Sequence, residues 1–462
     1  MAREELDELT KEELIDLILK QAEQLAELQA DFEALKLKFE QNQRKPPTTS
    51  KNSSQPPSRD QKGNQPKGRR KRRHGPPLGH EKHERKFVAQ ADEVVHIAAQ
   101  HCGKCHTDLS GESGRLVKVN QITELPEAKA QVIEVRQYAV VCPECQQAQI
   151  QAPPPGLEMQ RAFGARLEAT VVYYRQEQHM SYKRTQKALL DLFGVEISQG
   201  GIDEIMKRAG KQALQQEAGF QAAVQGSAVI HCDETGSRVD GDNWWEWVFC
   251  TLHTVLHVIR FNRSVDVIQD IMGPSQADVW VSDCWGPQLK APAQARQLCL
   301  AHQLRNLQAV VDENPHLFWP RAMQALFRAA IHLHHQRTHL PPEQFATQII
   351  RIERLFDWLL PRSLSPPKAQ KLQRRYHKYR HALFVFLYRT DVEPTNNVAE
   401  RALRPSVIHR KVTGCFRSDW GAKTYAALAS VIDTAELSGI RAFDVIQSLF
   451  GPPALPIPAG GE

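Results

Sequence analysis

No stretch of this 462-residue sequence approaches the roughly 20 uninterrupted apolar residues of a membrane-spanning helix. A membrane-embedded protein is therefore not expected. The start is acidic (Arg3, then Glu4, Glu5, Asp7 and Glu8) and lacks the basic and apolar regions of a secretory signal, so export is not expected either. Cysteine is scarce as well. There are nine, an odd number, and four of them fall in two C-x-x-C pairs, which excludes a disulfide scaffold and fits a reducing, cytoplasmic compartment. Metal binding is then the better use for the paired ones. The length exceeds what one hydrophobic core usually organises, so several domains are expected.

Net positive charge is absent outside one segment. Residues 44–86 carry 14 Lys and Arg against Asp60, Glu81 and Glu84, an excess of 11, whereas the whole chain is only +6. This arm is rich in Pro, Gly, Ser and Gln and has almost nothing apolar before Leu78, so it is expected to be disordered when free. Its densest run, Arg69, Arg70, Lys71, Arg72 and Arg73, suits the phosphates of DNA, because each contact releases a condensed counterion; a solvated linker is the competing account. Before the arm, in residues 1–43, Leu14, Ile18, Gln21, Leu25, Leu28, Phe32, Leu35 and Phe39 alternate at spacings of 4 and 3. That period is a coiled-coil seam and predicts a homo-oligomer, at least a dimer.

Residues 87–152 hold the cysteine pairs, Cys102 with Cys105 and Cys142 with Cys145, separated by 36 residues. Two such knuckles supply four thiolates for one structural Zn²⁺, with residues 131–141 reading as a strand that delivers the second pair. A redox role is disfavoured because neither pair opens a helix in a βαβ unit. After Pro153-Pro154-Pro155-Gly156, residues 157–225 read as helical. Within them a helix over 182–193, Gly194, and a second helix capped by Ser198 have the outline of a helix-turn-helix, although helix pairs joined by Gly also occur in any α-rich core.

From residue 226 the periodicity changes to that of strands. Residues 228–232 are a buried-strand run ending in Asp233; 244–252 and 254–261 read as two further strands, 264–272 as a helix, 278–282 as a fourth strand delivering Asp283, and 296–301 as a fifth. The β-β-β-α-β order is that of the ribonuclease H fold, a mixed five-stranded sheet flanked by helices. In it the first and fourth strands are neighbours, so Asp233 and Asp283 would converge. A late helix must supply a third carboxylate, and Glu400 is the candidate, following a helix start at Pro394 and Thr395. Three hard oxygen donors would hold two Mg²⁺ or Mn²⁺ ions. Asn396, Asn397, Arg401, Arg404 and Lys411 are placed to orient Glu400 or to grip DNA. The core is divided into 226–302 and 391–450 by an expected all-helical insertion, 303–390, rich in Arg and Lys, and 451–462 is expected to be a disordered tail. Cys299-x-x-His302 resembles half a metal site, but with no second soft pair nearby a structural or DNA-contact role is preferred.

The segments His231-Cys232-Asp233-Glu234-Thr235-Gly236, Val281-Ser282-Asp283, Leu298-Cys299-Leu300-Ala301-His302 and Pro394-Thr395-Asn396-Asn397-Val398-Ala399-Glu400-Arg401-Ala402-Leu403-Arg404-Pro405 resemble DDE transposases of the insertion-sequence sixty-six family. The resemblance extends over nearly the whole chain. It implies a bacterial element-encoded transposase with Asp233, Asp283 and Glu400 as catalytic triad, acting on double-stranded transposon ends and target DNA, and it suggests accessory proteins from the same element. Two other readings stay open: a transposase-derived DNA-binding regulator without cleavage, and a ribonuclease H-like nuclease that only hydrolyses.

Overall fold

The computed structural model describes residues 48–53 and 85–451. The seam of residues 1–43, the basic run from Arg69 to Arg73 and the tail beyond Gly451 lie outside the described residues. Among the described residues no helix is long and apolar enough to cross a membrane. The segment 85–152 is extended and largely exposed, with one small antiparallel hairpin, β1 (Ala139–Val141) and β2 (Ala148–Ile150). The strand expected over 131–141 is thus confined to its last three residues. Its alternating apolar side chains have no layer to lie on, and Val132 is 92% exposed.

Four helices follow: α1 (Ala165–Gln176), α2 (Tyr182–Phe193), α3 (Gln199–Leu214) and α4 (Glu217–Gln225). Both ends of the expected helix pair are set by local chemistry. Ser181 and Ser198 accept hydrogen bonds from the backbone N–H groups of Arg184 and Gly201, and Gly194 stops α2 in the left-handed conformation at φ 66°. The turn and the Ser198 cap are as expected, and the apolar face of α3 is taken up by packing. Ile202, Ile205, Met206, Ala209 and Ala213 bury in a core shared with α1 and two late helices, Asp419–Leu437 and Ala442–Ser448. Contact there is close enough to require glycine. A Cβ on Gly210 would lie 2.5 Å from Thr424 Oγ1. Gly210→Ala is expected to destabilise the protein by about 1–3 kcal/mol in denaturant melts, although in an open helix the same change stabilises; a gain in stability would show that the two helices are not in contact.

The sheet comes next. β3 (Val229–Val239), β4 (Asp242–Cys250) and β5 (Val255–Arg260) form an antiparallel meander, and after α5 (Val265–Met272) the strands β6 (Ala277–Ser282) and β7 (Ala293–Leu298) add parallel to β3, giving the order β5-β4-β3-β6-β7. This is the mixed five-stranded sheet expected. Its limits differ from the sequence reading in ways that matter. The β3–β4 turn is only Asp240-Gly241, both at positive φ, so the strands run on into a tight hairpin and Asp233 lies inside β3 and not at its end. Pairing with β6 stops at His231, two residues before Asp233. β7 ends at Leu298 because Cys299 turns the chain and Leu300, read from sequence as strand, starts a helix with its N–H bonded to Pro394 O at 2.9 Å.

Alternation along the strands gives the sheet two unlike faces. Ile230, Cys232, Trp247, Phe249, Leu256 and Val258 pack with α5 on one. On the other, Val248, Cys250 and Val255 meet Ala399 and Leu403, and Val239 and Ile259 meet Tyr425 and Ala426. Between β7 and the late helices runs the expected helical insertion: α6 (Leu300–Glu313), α7 (Phe318–His335), α8 (Pro342–Leu359), α9 (Pro367–Lys378) and α10 (Val385–Tyr388). Its aromatic centre, Trp319, Phe327, Phe356, Tyr376 and Phe384, is continuous with Val279, Val281 and Leu298 of the sheet, so it is a lateral extension of the core. The chain then returns across the sheet as α11 (Asn397–Thr413), α12 (Asp419–Leu437) and α13 (Ala442–Ser448).

Candidate active site

Asp233, Asp283 and Glu400 come from three elements that share one end of the sheet. Asp233 projects from β3 just where β6 leaves it, Asp283 directly follows β6, and Glu400 sits in the first turn of α11. Each is held by its own backbone neighbourhood. Asp233 Oδ1 accepts from Glu234 N–H at 2.9 Å, Asp283 Oδ1 from Trp285 N–H at 2.9 Å, and the Glu400 N–H reaches Asn396 O at 3.1 Å.

The electrostatics mark Asp233 as the centre. Burial, followed by the charges of Glu234, Asp283 and Glu400, holds its carboxyl well above the usual carboxylate range, against the opposing Glu234 N–H. No Lys or Arg among the described residues forms an ion pair with Asp233 or Asp283. Two hard oxygen donors without a cation partner, beside a third that is paired with Arg305, fit divalent cations such as Mg²⁺ or Mn²⁺. The three carboxylates do not fall into one tight cluster. Among the described residues, the group of His, Cys, Asp and Glu side chains whose donor atoms lie within 4.8 Å of one another is instead Cys299, His302 and Glu400.

Asn396 stitches these elements together. It is fully buried; its Nδ2 donates to Cys232 O at 2.8 Å, its Oδ1 faces His231 Nδ1 at 3.2 Å, and its N–H donates to Cys299 Sγ at 3.1 Å. It therefore joins β3 and Cys299 to the start of α11 and leaves no surface for a phosphate to reach. Asn396→Ala leaves the Cys232 carbonyl unpaired in the interior, at about 1–3 kcal/mol, and frees the start of α11. The expected outcome is reduced turnover with DNA affinity retained, read by parallel cleavage and binding assays; turnover equal to the parent would remove this role. Asn397, Arg401, Arg404 and Lys411 are exposed on α11, where Arg401 Nε donates to Asn397 O at 3.2 Å.

Two partners of Glu400 escaped the sequence reading. Arg305 Nη2 lies 3.3 Å from both carboxylate oxygens, and His302 Nδ1 lies 3.5 Å from Oε1. Burial, then Arg305, push His302 down, against the pull of Glu400 and Asp283. Both stand on α6 three residues apart, one helical turn, and the Cys299-x-x-His302 spacing was the available signal.

Glu234 points to the opposite face, as strand alternation requires. There it is nearly fully buried, paired with Arg263 at 2.7 Å and accepting from Gln288 Nε2 at 2.8 Å. The Arg263 guanidinium lies over the rings of Trp245 and Trp285 at 4.4 and 4.1 Å, which ties β3 to the loop after Asp283.

The two cysteine pairs adopt the same turn. Cys102 N–H bonds Thr107 O and His106 N–H bonds Cys102 O; Cys142 N–H bonds Gln147 O and Gln146 N–H bonds Cys142 O. His106 and Gln146 both have positive φ, 60° and 55°. Each knuckle is formed, but among the described residues the four sulfurs are not gathered into one ligand set. Hydrogen bonds from Thr107, followed by that of Cys102, lower the exposed Cys105 thiol to about 7.

Residues 160–424, more than half of the chain, match the family model described as Transposase IS66 family. The comparison with curated proteins yields no match. The matched span takes in α1–α4, the whole sheet, the helical insertion and α11, and it contains Asp233, Asp283 and Glu400.

Proposed function

The chain belongs to the IS66 transposase family, and from that premise we propose that it cuts transposon ends and joins them to target DNA by two-metal DDE chemistry. Asp233, Asp283 and Glu400 would hold two Mg²⁺ or Mn²⁺ ions. The observation that carries this reading is Asp233, a buried carboxyl group facing the charges of Glu234, Asp283 and Glu400 and, among the described residues, without an ion pair to a Lys or Arg. Bound divalent ions would neutralise that charge, lower the pKa of an attacking oxygen and stabilise a leaving one.

The chain's own residues then have defined tasks. β3 and β6 fix two of the ligands on the rigid sheet, and Asn396 fixes the helix turn that presents the third. Arg305 neutralises Glu400 in the free protein and is placed to turn to a phosphate oxygen when DNA arrives. The reaction is two in-line displacements at phosphorus: water releases a 3′ hydroxyl, and that hydroxyl attacks a phosphodiester of the target with loss of the target's 3′ oxygen.

The flanking segments complete the assignment. Cys102, Cys105, Cys142 and Cys145 would bind one structural Zn²⁺, the arm with Arg69, Arg70, Lys71, Arg72 and Arg73 would bind DNA nonspecifically, and residues 1–43 would hold the chain in an oligomer. Asn397, Arg401, Arg404 and Lys411 would line the DNA path along α11. Full-length protein incubated in Mg²⁺ with DNA carrying the element's ends and a supercoiled target tests the reading. Joined products are expected. Cut but unjoined ends would favour the hydrolytic nuclease, and binding without cutting the regulator.

A further inference from the structure

We propose that Cys299, His302 and Glu400 form a second metal site, specific for a soft divalent ion of the Zn²⁺ class, whose occupancy withdraws Glu400 from the carboxylate centre. The inference rests on the assignment of Glu400 to that centre. Three observations support it. The candidate ligand atoms of the three residues lie within 4.8 Å of one another, brought together from the β7–α6 link, the first turn of α6 and the first turn of α11. Cys299 is buried and positioned, with Sγ accepting the Asn396 N–H at 3.1 Å. His302 Nδ1 is a buried nitrogen with no hydrogen-bond partner, and it lies 3.5 Å from Glu400 Oε1.

The donor set decides the metal. A thiolate, an imidazole and one carboxylate suit Zn²⁺, whereas Mg²⁺ takes oxygen donors. Three protein ligands leave a fourth tetrahedral position for water or a phosphate oxygen. Binding breaks the Cys299 S–H bond, forms a sulfur–metal bond and releases one proton to solvent, with no change of oxidation state. It also requires Arg305, 3.3 Å from both Glu400 oxygens, to move off, because the two cations compete for one carboxylate. Glu400 cannot serve both metals fully, so the soft ion would act as an inhibitor at the catalytic centre.

Co²⁺ is a suitable probe, since ligation by thiolate is visible as charge-transfer absorption. The full chain is titrated alongside Cys299→Ser, His302→Asn and His302→Cys, with the four knuckle cysteines unchanged in all. Wild type is expected to show one more thiolate-ligated Co²⁺ per chain than Cys299→Ser. His302→Asn should weaken that ion at least about tenfold, and His302→Cys, which restores a soft donor, should keep it. Circular dichroism establishes that each variant is folded, and His302→Asn, at a partly exposed position, carries the test if Cys299→Ser is not. Identical Co²⁺ spectra and stoichiometry in folded wild type and variants would overturn the proposal, as would a Co²⁺ site that survives all three changes. In strand-transfer reactions, Zn²⁺ inhibition is normalised to each protein's own Mg²⁺ rate, and wild type should be inhibited at lower Zn²⁺ than Cys299→Ser. Absence of joined products from every protein, with Co²⁺ binding intact, would count against the transposase reading alone.

Discussion

Asp233→Asn is expected to abolish cleavage and strand transfer and, in the same protein, to raise the melting temperature. On the proposed two-metal chemistry the loss follows from removing an anionic ligand of ions that would supply several kcal/mol of transition-state stabilisation; at about 1.4 kcal/mol per tenfold, the rate should fall about a thousandfold or more. The gain follows from burial and from the charges of Glu234, Asp283 and Glu400, which hold the Asp233 carboxyl well above its ordinary range. The folded state then binds that proton more tightly than the unfolded chain. Metal-free stability should therefore fall as pH rises from about 4, the unfolded carboxylate value, toward the raised folded value, and Asn should remove that part of the slope. Asp283→Asn and Glu400→Gln should likewise stop the chemistry while leaving DNA binding in place. Glu393→Gln is the control, since that exposed side chain lies before α11 with His334 Nε2 at 3.9 Å as its partner. Glu234→Gln is a different case. It should keep most of the activity because it faces away from Asp233, but it weakens the pair with Arg263 and should cost stability. Thermal melts across pH, run beside cleavage assays, separate these outcomes; an Asp233→Asn protein that melts lower than wild type would contradict the electrostatic account.

His257→Leu is expected to be the most destabilising single change in the catalytic core, at about 3–5 kcal/mol, because it strands a buried carboxylate. His257 on β5 is fully buried, with Nδ1 3.1 Å from Glu246 Oε1 and Nε2 2.9 Å from Asp433 Oδ2. Burial pushes the imidazole down, but the hydrogen bonds and charges of Asp433 and Glu246 outweigh it and raise it to about 9. A raised histidine stabilises the fold fully below its unfolded value near 6.5 and loses that contribution as pH rises through about 9. Stability measured by denaturant should fall between those values in wild type and stay flat there in the variant. The network reaches the site as well. Ser406 Oγ, on the helix that carries Glu400, donates to Glu246 Oε1 at 2.6 Å, and Tyr425 OH donates to Ser406 Oγ at 3.1 Å. Turnover should therefore drop with stability. A His257→Leu protein as stable as wild type would show that the two acids are not dependent on it.

Much of this site was legible in the sequence, for identifiable reasons. Strand periodicity and the order of elements placed Asp233 and Asp283 on neighbouring strands, and the sheet has that order. Alternation along β3 accounts for Glu234 lying on the face opposite Asp233. Register was not legible, because the Asp240-Gly241 turn and the long β3–β4 pairing depend on which residues adopt positive φ. The partners of Glu400 were hidden by distance along the chain: 95 residues separate it from Arg305, and only the closed fold brings α6 under α11. Asn396 shows the opposite limit. A polar residue beside a candidate acid reads equally as an orienting group or a DNA contact, and only its burial favours the first. The outline of α2 and α3 was correct, yet the apolar face of α3 that a recognition helix would share with any core helix is used here to meet α12.

Asp233, Asp283 and Glu400 are proposed to act as one unit that collects divalent metal. Calorimetric titration of Mn²⁺ into the full chain tests it most directly, with Asp233→Asn, Asp283→Asn, Glu400→Gln and Glu393→Gln beside wild type. Mn²⁺ binding is expected in wild type and Glu393→Gln, with loss or marked weakening in each of the other three. Equal Mn²⁺ binding by all five proteins would contradict it.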